Sequence, residues 1–289
     1  MSIQLFNGDC LTVMATLPEQ SVDAVICDPP YGTTECAWDS VIPLPAMWEN
    51  YERLVKPRGA IVLTCTQPFA SSLVMSKLDW FRHEWVWDKV APTGFQNTKH
   101  KPMMRHESIM VFSREAPDYR PVMQRLDVPV VRHARQKPLG SLSSPLMGGD
   151  DCKARKYYGS FPQSILLYTR PKPNVHPTQK PVELMAYLIE TYTRKGGVVL
   201  DNTMGSGSTG VACVNTGRGF IGVEMDPHWF EVASKRIREA ECRPEQPGLG
   251  LDPLDVDAAV QILEEEDPPM AAAMKAGDED EAIDEVFGA

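Results

Sequence analysis

Val198-Val199-Leu200-Asp201-Asn202-Thr203-Met204-Gly205-Ser206-Gly207-Ser208-Thr209-Gly210 is the stretch that decides the fold. Its opening apolar residues predict a short buried strand, and Ser208 to Asn215 predicts a helix. Between them Gly205, Gly207 and Gly210 fall in the spacing G-x-G-x-x-G, with the strand before and the helix after that the pattern requires. Glycines let a ligand approach the backbone, and a helix N-terminus favours a negative group. Phe220 to Val223 predicts the next strand, and Glu224 ends it, 19 residues after Gly205. A carboxylate there can take both hydroxyls of a ribose.

The pattern therefore points to a cofactor of adenosine type. It does not separate a dinucleotide from S-adenosylmethionine. A Gly-rich turn that merely packs the helix on the sheet is the plainer alternative, and Asp201 and Glu224 together weigh against it.

A second constellation stands near the start: Cys27-Asp28-Pro29-Pro30-Tyr31-Gly32, after the apolar run Val22 to Ile26. The prolines stop the strand, because neither can donate to a sheet ladder. They also stiffen the backbone that carries an acid, two carbonyls and an aromatic ring. The carboxyl end of a strand is where open α/β sheets bind ligands. A planar nucleobase amine fits such a corner: Asp28 and the Pro29 carbonyl can accept its two protons, and Tyr31 can stack on the ring. Taken alone, a Pro-Pro turn with a capping Asp and a packing Tyr explains the residues equally well. A third piece, His176-Pro177-Thr178-Gln179-Lys180-Pro181, precedes a helix predicted from Pro181 to about Arg194. His176 has no sequence neighbour suited to share a metal, and no metal is expected.

The rest of the chain supplies matching elements. Strands are expected at 3–6, 60–65, 83–89 and 108–112, and helices at 11–17, 47–55, 68–78 and 227–239. Lys56-Pro57-Arg58-Gly59 reads as a helix stop. Residues 32–44 read as a polar loop and 115–170 as an irregular, Pro-rich segment. Strand and helix alternate at both ends. The economical fold class is α/β, a doubly wound and mainly parallel sheet.

The formal net charge of −10 hides a division. Residues 239–289 hold 16 acidic and 2 basic side chains, and residues 1–238 hold 23 acidic and 27 basic. Within that body, 82–180 holds 17 basic and 8 acidic side chains, a setting suited to phosphate. The seven cysteines are scattered without a C-x-x-C pair, which argues for a reducing compartment. No apolar run is long enough to span a membrane, and the first residues do not form a signal peptide. The acidic clusters of residues 243–289 read as a solvated, largely disordered extension, with a short helix at most over 256–263.

Together the three motifs resemble the amino-methyltransferases of DNA in the permuted order called the beta group: catalytic motif, target-recognition insertion, cofactor part. The resemblance spans roughly residues 3–238 and implies a permuted Rossmann-like methyltransferase domain. It implies a catalytic part at 1–114, a target-recognition insertion at 115–172 joined by the loop 91–105, and a cofactor part at 173–242. The tail, 243–289, lies outside it.

The resemblance also implies roles. Asp28 and Pro29 orient the target amine, Pro30 fixes the corner, and Tyr31 stacks on a flipped base. Asp201, Gly205, Ser206, Gly207 and Thr209 line the S-adenosylmethionine pocket, Glu224 takes the ribose, and Asp226 follows it. Asp9 and Cys10 sit where the family contacts adenine, and Thr178 and Lys180 where it holds the methionine end. Asp201-Asn202-Thr203 stands where the family often has Asp-Pro-Phe. The implied substrate is double-stranded DNA, and the implied setting is the cytoplasm of a bacterial or phage-encoded system. A homodimer and a restriction-enzyme partner stay open. An Asp in first position is the family's usual form for adenine N6, and Ser for cytosine N4. Adenine is therefore expected. Cytosine N4 is the first alternative, and RNA or protein-glutamine methylation or a non-catalytic DNA-binding protein stand further off.

Overall fold

The computed structural model describes residues 2–32, 40–122, 124–132, 155–176 and 178–243, with the side chains of 124–132 and 155–160 left out. The larger compact unit comprises the described residues up to Pro121 and from Gln163 onward. Its centre is an eight-stranded sheet. Five strands run parallel in the order β1 (Ile3–Asn7), β10 (Gly219–Glu224), β9 (Val198–Asp201), β2 (Val22–Cys27) and β3 (Val55–Cys65). Beyond β3 the sheet continues through β5 (Met104–Phe112) and β4 (Phe81–Thr93), each antiparallel to its predecessor, and then β8 (Ile165–Leu167) parallel to β4. The α/β, mainly parallel expectation holds.

Helices cover the faces because the parallel strands are apolar on both sides. Every residue of β2 except Asp23 is buried, as is the run Gly59–Cys65 of β3. The helices are α1 (Cys10–Thr16), α2 (Leu44–Leu54), α3 (Phe69–Ser76), α4 (Val182–Tyr192), α5 (Ser208–Thr216) and α6 (Pro227–Glu241). Asp9 caps α1, its carboxylate accepting the Thr12 N–H at 2.8 Å, and Asp226 caps α6, accepting from His228 at 2.8 Å. The alternation expected on β4 is present: Trp85 and Trp87 are buried while Arg82, Glu84 and Asp88 are not.

Two readings change. Lys56-Pro57-Arg58-Gly59 does end α2, but the chain stays in the sheet. Val22 pairs with Val55 and Ala24 with Ala60, so residues 56–59 bulge opposite Asp23. Asp23 fixes the bulge, accepting from Lys56 at 2.6 Å and from the Val198 N–H at 2.8 Å. Only glycine fits at 59, where a Cβ would lie 2.6 Å from the Asp23 carbonyl oxygen. The segment 115–170 is also less irregular than its prolines suggest. β8 joins the main sheet, and β6 (Gln124–Arg132) pairs antiparallel with β7 (Arg155–Ser160) in the second compact unit. Residues 33–39, with Trp38 and Asp39, lie outside the described residues, as do 133–154 and the tail from 244 on.

Candidate active site

The first and second motifs meet at one end of the sheet. β2 and β9 are hydrogen-bonded neighbours, with Ala24 beside Val199 and Val25 beside Leu200. Their carboxyl ends therefore emerge side by side, at the point where the strand order reverses, the usual ligand crevice of such sheets. The Thr203 hydroxyl donates to the Asp28 carbonyl at 3.1 Å, and the Tyr51 hydroxyl of α2 donates to Asn202 Oδ1 at 2.7 Å. Asn202 and Thr203 are the residues that depart from the usual family pattern; here Thr203 ties the two strand ends together and Asn202 ties the turn to α2.

Asp28 is enclosed by donors. Its Oδ2 accepts from the Lys180 ammonium at 2.6 Å, and its Oδ1 accepts from the Tyr31 and Thr64 hydroxyls. Thr64 stands near the end of β3, so the ends of β2 and β3 and the 176–181 connector converge on one carboxylate. The Tyr31 ring stacks on Phe69, with centroids 5.5 Å apart. Cys27, just before Asp28, is buried against Tyr51 at 3.6 Å. Burial pushes its thiol well above the ordinary range, which suits a core residue rather than a nucleophile.

Lys180, which the resemblance sets in the motif at the methionine end of the cofactor, has its ammonium on Asp28 and, at 3.2 Å, on Glu107 of β5. Glu107 also holds Lys89 of β4 at 2.8 Å. Burial works against the charged ammonium, yet Asp28 and Glu107 hold it above its ordinary range. Burial likewise raises the Glu107 carboxyl, and Lys180 and Lys89 outweigh it and bring the net position below the usual range. Glu107, Lys89 and Thr64 were not singled out in the sequence, because no local pattern distinguishes a site residue in mid-strand from a packing one. The absence of any acid between Asp88 and Glu107 was the available signal.

The glycine turn completes the crevice. Gly205 has φ +49° and Gly207 has φ +78°. A Cβ on Gly205 would meet nothing within 4 Å, whereas one on Gly207 would press Ala233 of α6 at 2.9 Å. Gly205 thus faces open space and Gly207 packs the helix. Glu224 steadies the turn, one oxygen accepting from the Gly205 N–H and the other from the Asp226 N–H, both at 2.9 Å. Asp201 is buried and accepts from the Thr203 N–H at 3.1 Å and from Thr209. Burial pushes its carboxyl up to about 7.

The remaining candidates gather nearby or serve locally. The chain after β1 reaches the same end, where Gly8 N–H and Asn7 Nδ2 both donate to the Glu224 carbonyl, at 3.0 and 2.8 Å. Cys10 engages Asn202. The carboxylates of Asp9 and Asp226 have helix-capping partners, and the Ser206 carbonyl accepts from Arg236. His176 packs edge-on against Trp229 at 4.1 Å and its Nδ1 meets the Thr178 hydroxyl at 3.0 Å. Pro177 lies outside the described residues. Among the described residues, no cluster of His, Cys, Asp and Glu is arranged to hold a metal ion, and no helix is long and apolar enough to cross a membrane.

This arrangement agrees with the comparisons. Residues 22–235 match the family of N6/N4 methyltransferases described as DNA methylase, and the chain belongs to that family. It is a DNA amino-methyltransferase. It is 26% identical over 246 residues to DNA adenine methyltransferase YhdJ of Escherichia coli strain K12, covering 81% of this chain and 82% of the relative. It is 25% identical over 250 residues to type II methyltransferase M.HpaI of Haemophilus parainfluenzae, covering 82% and 74%. The crystal structure of the M1.HpyAVI-SAM complex is 26% identical, with a TM-score of 0.55 over 81% of this chain and 99% of that one.

Proposed function

We propose that this enzyme methylates adenine N6 at specific sites in double-stranded DNA, with S-adenosylmethionine as donor. The observation that carries the reading is the junction of β2 and β9, which sets the Asp28 corner beside the glycine turn. The Gly205 turn has room for a ligand where a side chain would stand, and the buried Asp201 and half-buried Glu224 border it. Those residues fit an adenosine-type methyl donor. The solved complex of M1.HpyAVI with SAM supports the choice. When bound, the cofactor supplies a methyl group already activated on sulfur, so the protein's task is chiefly positioning.

The residues divide that task. An exocyclic amine is a poor nucleophile while its lone pair is delocalised into the ring. Asp28 and the Pro29 carbonyl accept its two N–H protons, which favours a pyramidal nitrogen and localises the lone pair. Asp28 has about four acceptor sites and three protein donors, Lys180, Tyr31 and Thr64, so one site is left for the amine. As positive charge develops on the nitrogen, the Asp28 carboxylate stabilises it. Lys180, itself held by Glu107, fixes that carboxylate in place. The target atom is inaccessible within a duplex, so the base must be extruded.

Adenine is favoured by the Asp in first position and by the name of the relative YhdJ. Nucleosides released from DNA incubated with the enzyme and S-adenosylmethionine test this by mass spectrometry. N6-methyladenine is expected. N4-methylcytosine would overturn the base assignment, and no methylated base at all would overturn the reading.

A further inference from the structure

Strands β4 and β5 carry Lys89 and Glu107 into the charged cluster and then run on as an arm, residues 90–103. The register of β4 on β5 shifts between Asp88 and Thr93, at the arm's start. Val90 has φ +66°, a region that a β-branched residue disfavours. Its N–H is held by Asp88 Oδ1 at 2.7 Å, and the same oxygen accepts from Arg105 across the strand pair at 2.9 Å. The result is that Lys89 turns inward and is buried while Val90 turns out. Strain of this kind, over-determined by neighbours, tends to stand at working sites.

At the arm's end Gly94 turns the chain again with φ +89°. Phe95 follows, 76% exposed, more so than any other large hydrophobic residue among those described. Its backbone is pinned: the Phe95 carbonyl accepts from the Thr98 N–H at 3.2 Å and from the Thr98 hydroxyl at 2.9 Å, and Asn97 N–H donates to Gly94 at 3.0 Å. A rigid backbone thus holds an aromatic ring out in water. Lys99, His100 and Lys101 come next and are all exposed. No acid stands between Asp88 and Glu107.

We propose that Phe95 is a wedge: it enters the duplex at the target base pair and stacks in the gap that the extruded base leaves. The inference rests on the methylation reading above. Extrusion costs the stacking of the target on its neighbours, and an aromatic face restores it whatever those neighbours are. Apolar wedges inserted between base steps are a general device for this. The flanking cations Lys99 and Lys101 suit the phosphates on either side. The six chain steps from Lys89 to Phe95 span at most about 20 Å, enough to reach through a groove roughly 8 Å deep while Asp28 receives the base.

The test compares the full-length enzyme with Phe95→Ala and Phe95→Trp on two duplexes containing the site read from product sequencing. In one the target base is paired. In the other it faces an abasic position and is already loose. Phe95→Ala is expected to lower kcat/KM on the paired duplex by about 10-fold or more, and on the abasic duplex by less than about 3-fold. Phe95→Trp should stay within about 3-fold of the parent on both. With 2-aminopurine at the target, the fluorescence rise that accompanies extrusion should shrink in Phe95→Ala. Equal losses on the two duplexes, or no loss on the paired one, would overturn the wedge. A parent enzyme that methylates neither duplex would instead sink the reading on which the wedge rests.

Discussion

The Lys180 ammonium lies 2.6 Å from Asp28 Oδ2, although 152 positions separate the two residues in the chain. Lys180 also touches Glu107, which touches Lys89, so four charges alternate in sign across the crevice. Removing one member of a buried pair leaves the other uncompensated, at a cost of roughly 3–5 kcal/mol. Lys180→Met should lower unfolding stability by about that amount in a denaturant titration. Methyl transfer should fall by about a hundredfold or more, because Asp28 loses the donor that fixes it. Unchanged stability and activity would remove Lys180 from the account.

The two glycines of the turn should respond differently to alanine. At Gly207 a Cβ would press Ala233 at 2.9 Å and the backbone has φ +78°, so Gly207→Ala should destabilise the fold by about 2 kcal/mol or more. At Gly205 the Cβ meets open space, and Gly205→Ala should cost only about 1 kcal/mol for its φ of +49°. That methyl would stand where the cofactor approaches. Calorimetric titration with S-adenosylmethionine should show about a 10-fold or greater loss of affinity in Gly205→Ala, well beyond its loss of stability. Parent-like binding by Gly205→Ala would contradict the assignment of the turn.

Asp201 should make cofactor-free protein lose stability as pH rises. Burial raises its folded-state value to about 7, against an ordinary carboxylate in the unfolded chain. The native state therefore holds the proton more tightly. The stability this confers is complete below the unfolded value and is lost as pH rises from about 4 through 7. Asp201→Asn removes the effect, so its unfolding free energy, read by denaturant titration, should gain on the parent's between pH 5 and 8, by an increment on the order of a few kcal/mol. A pH-independent difference between the two proteins would refute this.

DNA affinity should fall steeply with salt between about 50 and 200 mM if the basic middle binds phosphate. Replacing both Lys99 and Lys101 by Ala should reduce the slope of log affinity against log salt by about 2. A flat dependence in the parent would count against phosphate binding by this segment.

Much of this fold was legible because its signals are local. The β9 strand, the glycine spacing and Glu224 lie within 27 consecutive residues, Val198–Glu224, and the separate corner at Asp28 lies within the six residues Cys27–Gly32. The meeting of the two motifs follows from strand order, which no local pattern states. The Lys180–Asp28–Glu107–Lys89 cluster was hidden for the same reason: its members come from the 176–181 connector, the end of β2 and two mid-sheet strands. The bulge at 56–59 was masked by a proline and glycine that read as a helix stop. The strands at 124–132, 155–160 and 165–167 were masked by prolines around them and by weak periodicity.

The most direct measurement is transfer of labelled methyl from S-adenosylmethionine to unmethylated duplex DNA by Asp28→Ala, with cofactor affinity measured in parallel. Transfer should drop by at least about a hundredfold while affinity for S-adenosylmethionine stays within about 3-fold of the parent. Transfer persisting near the parent rate would contradict the claim that the Asp28 carboxylate receives the target amine.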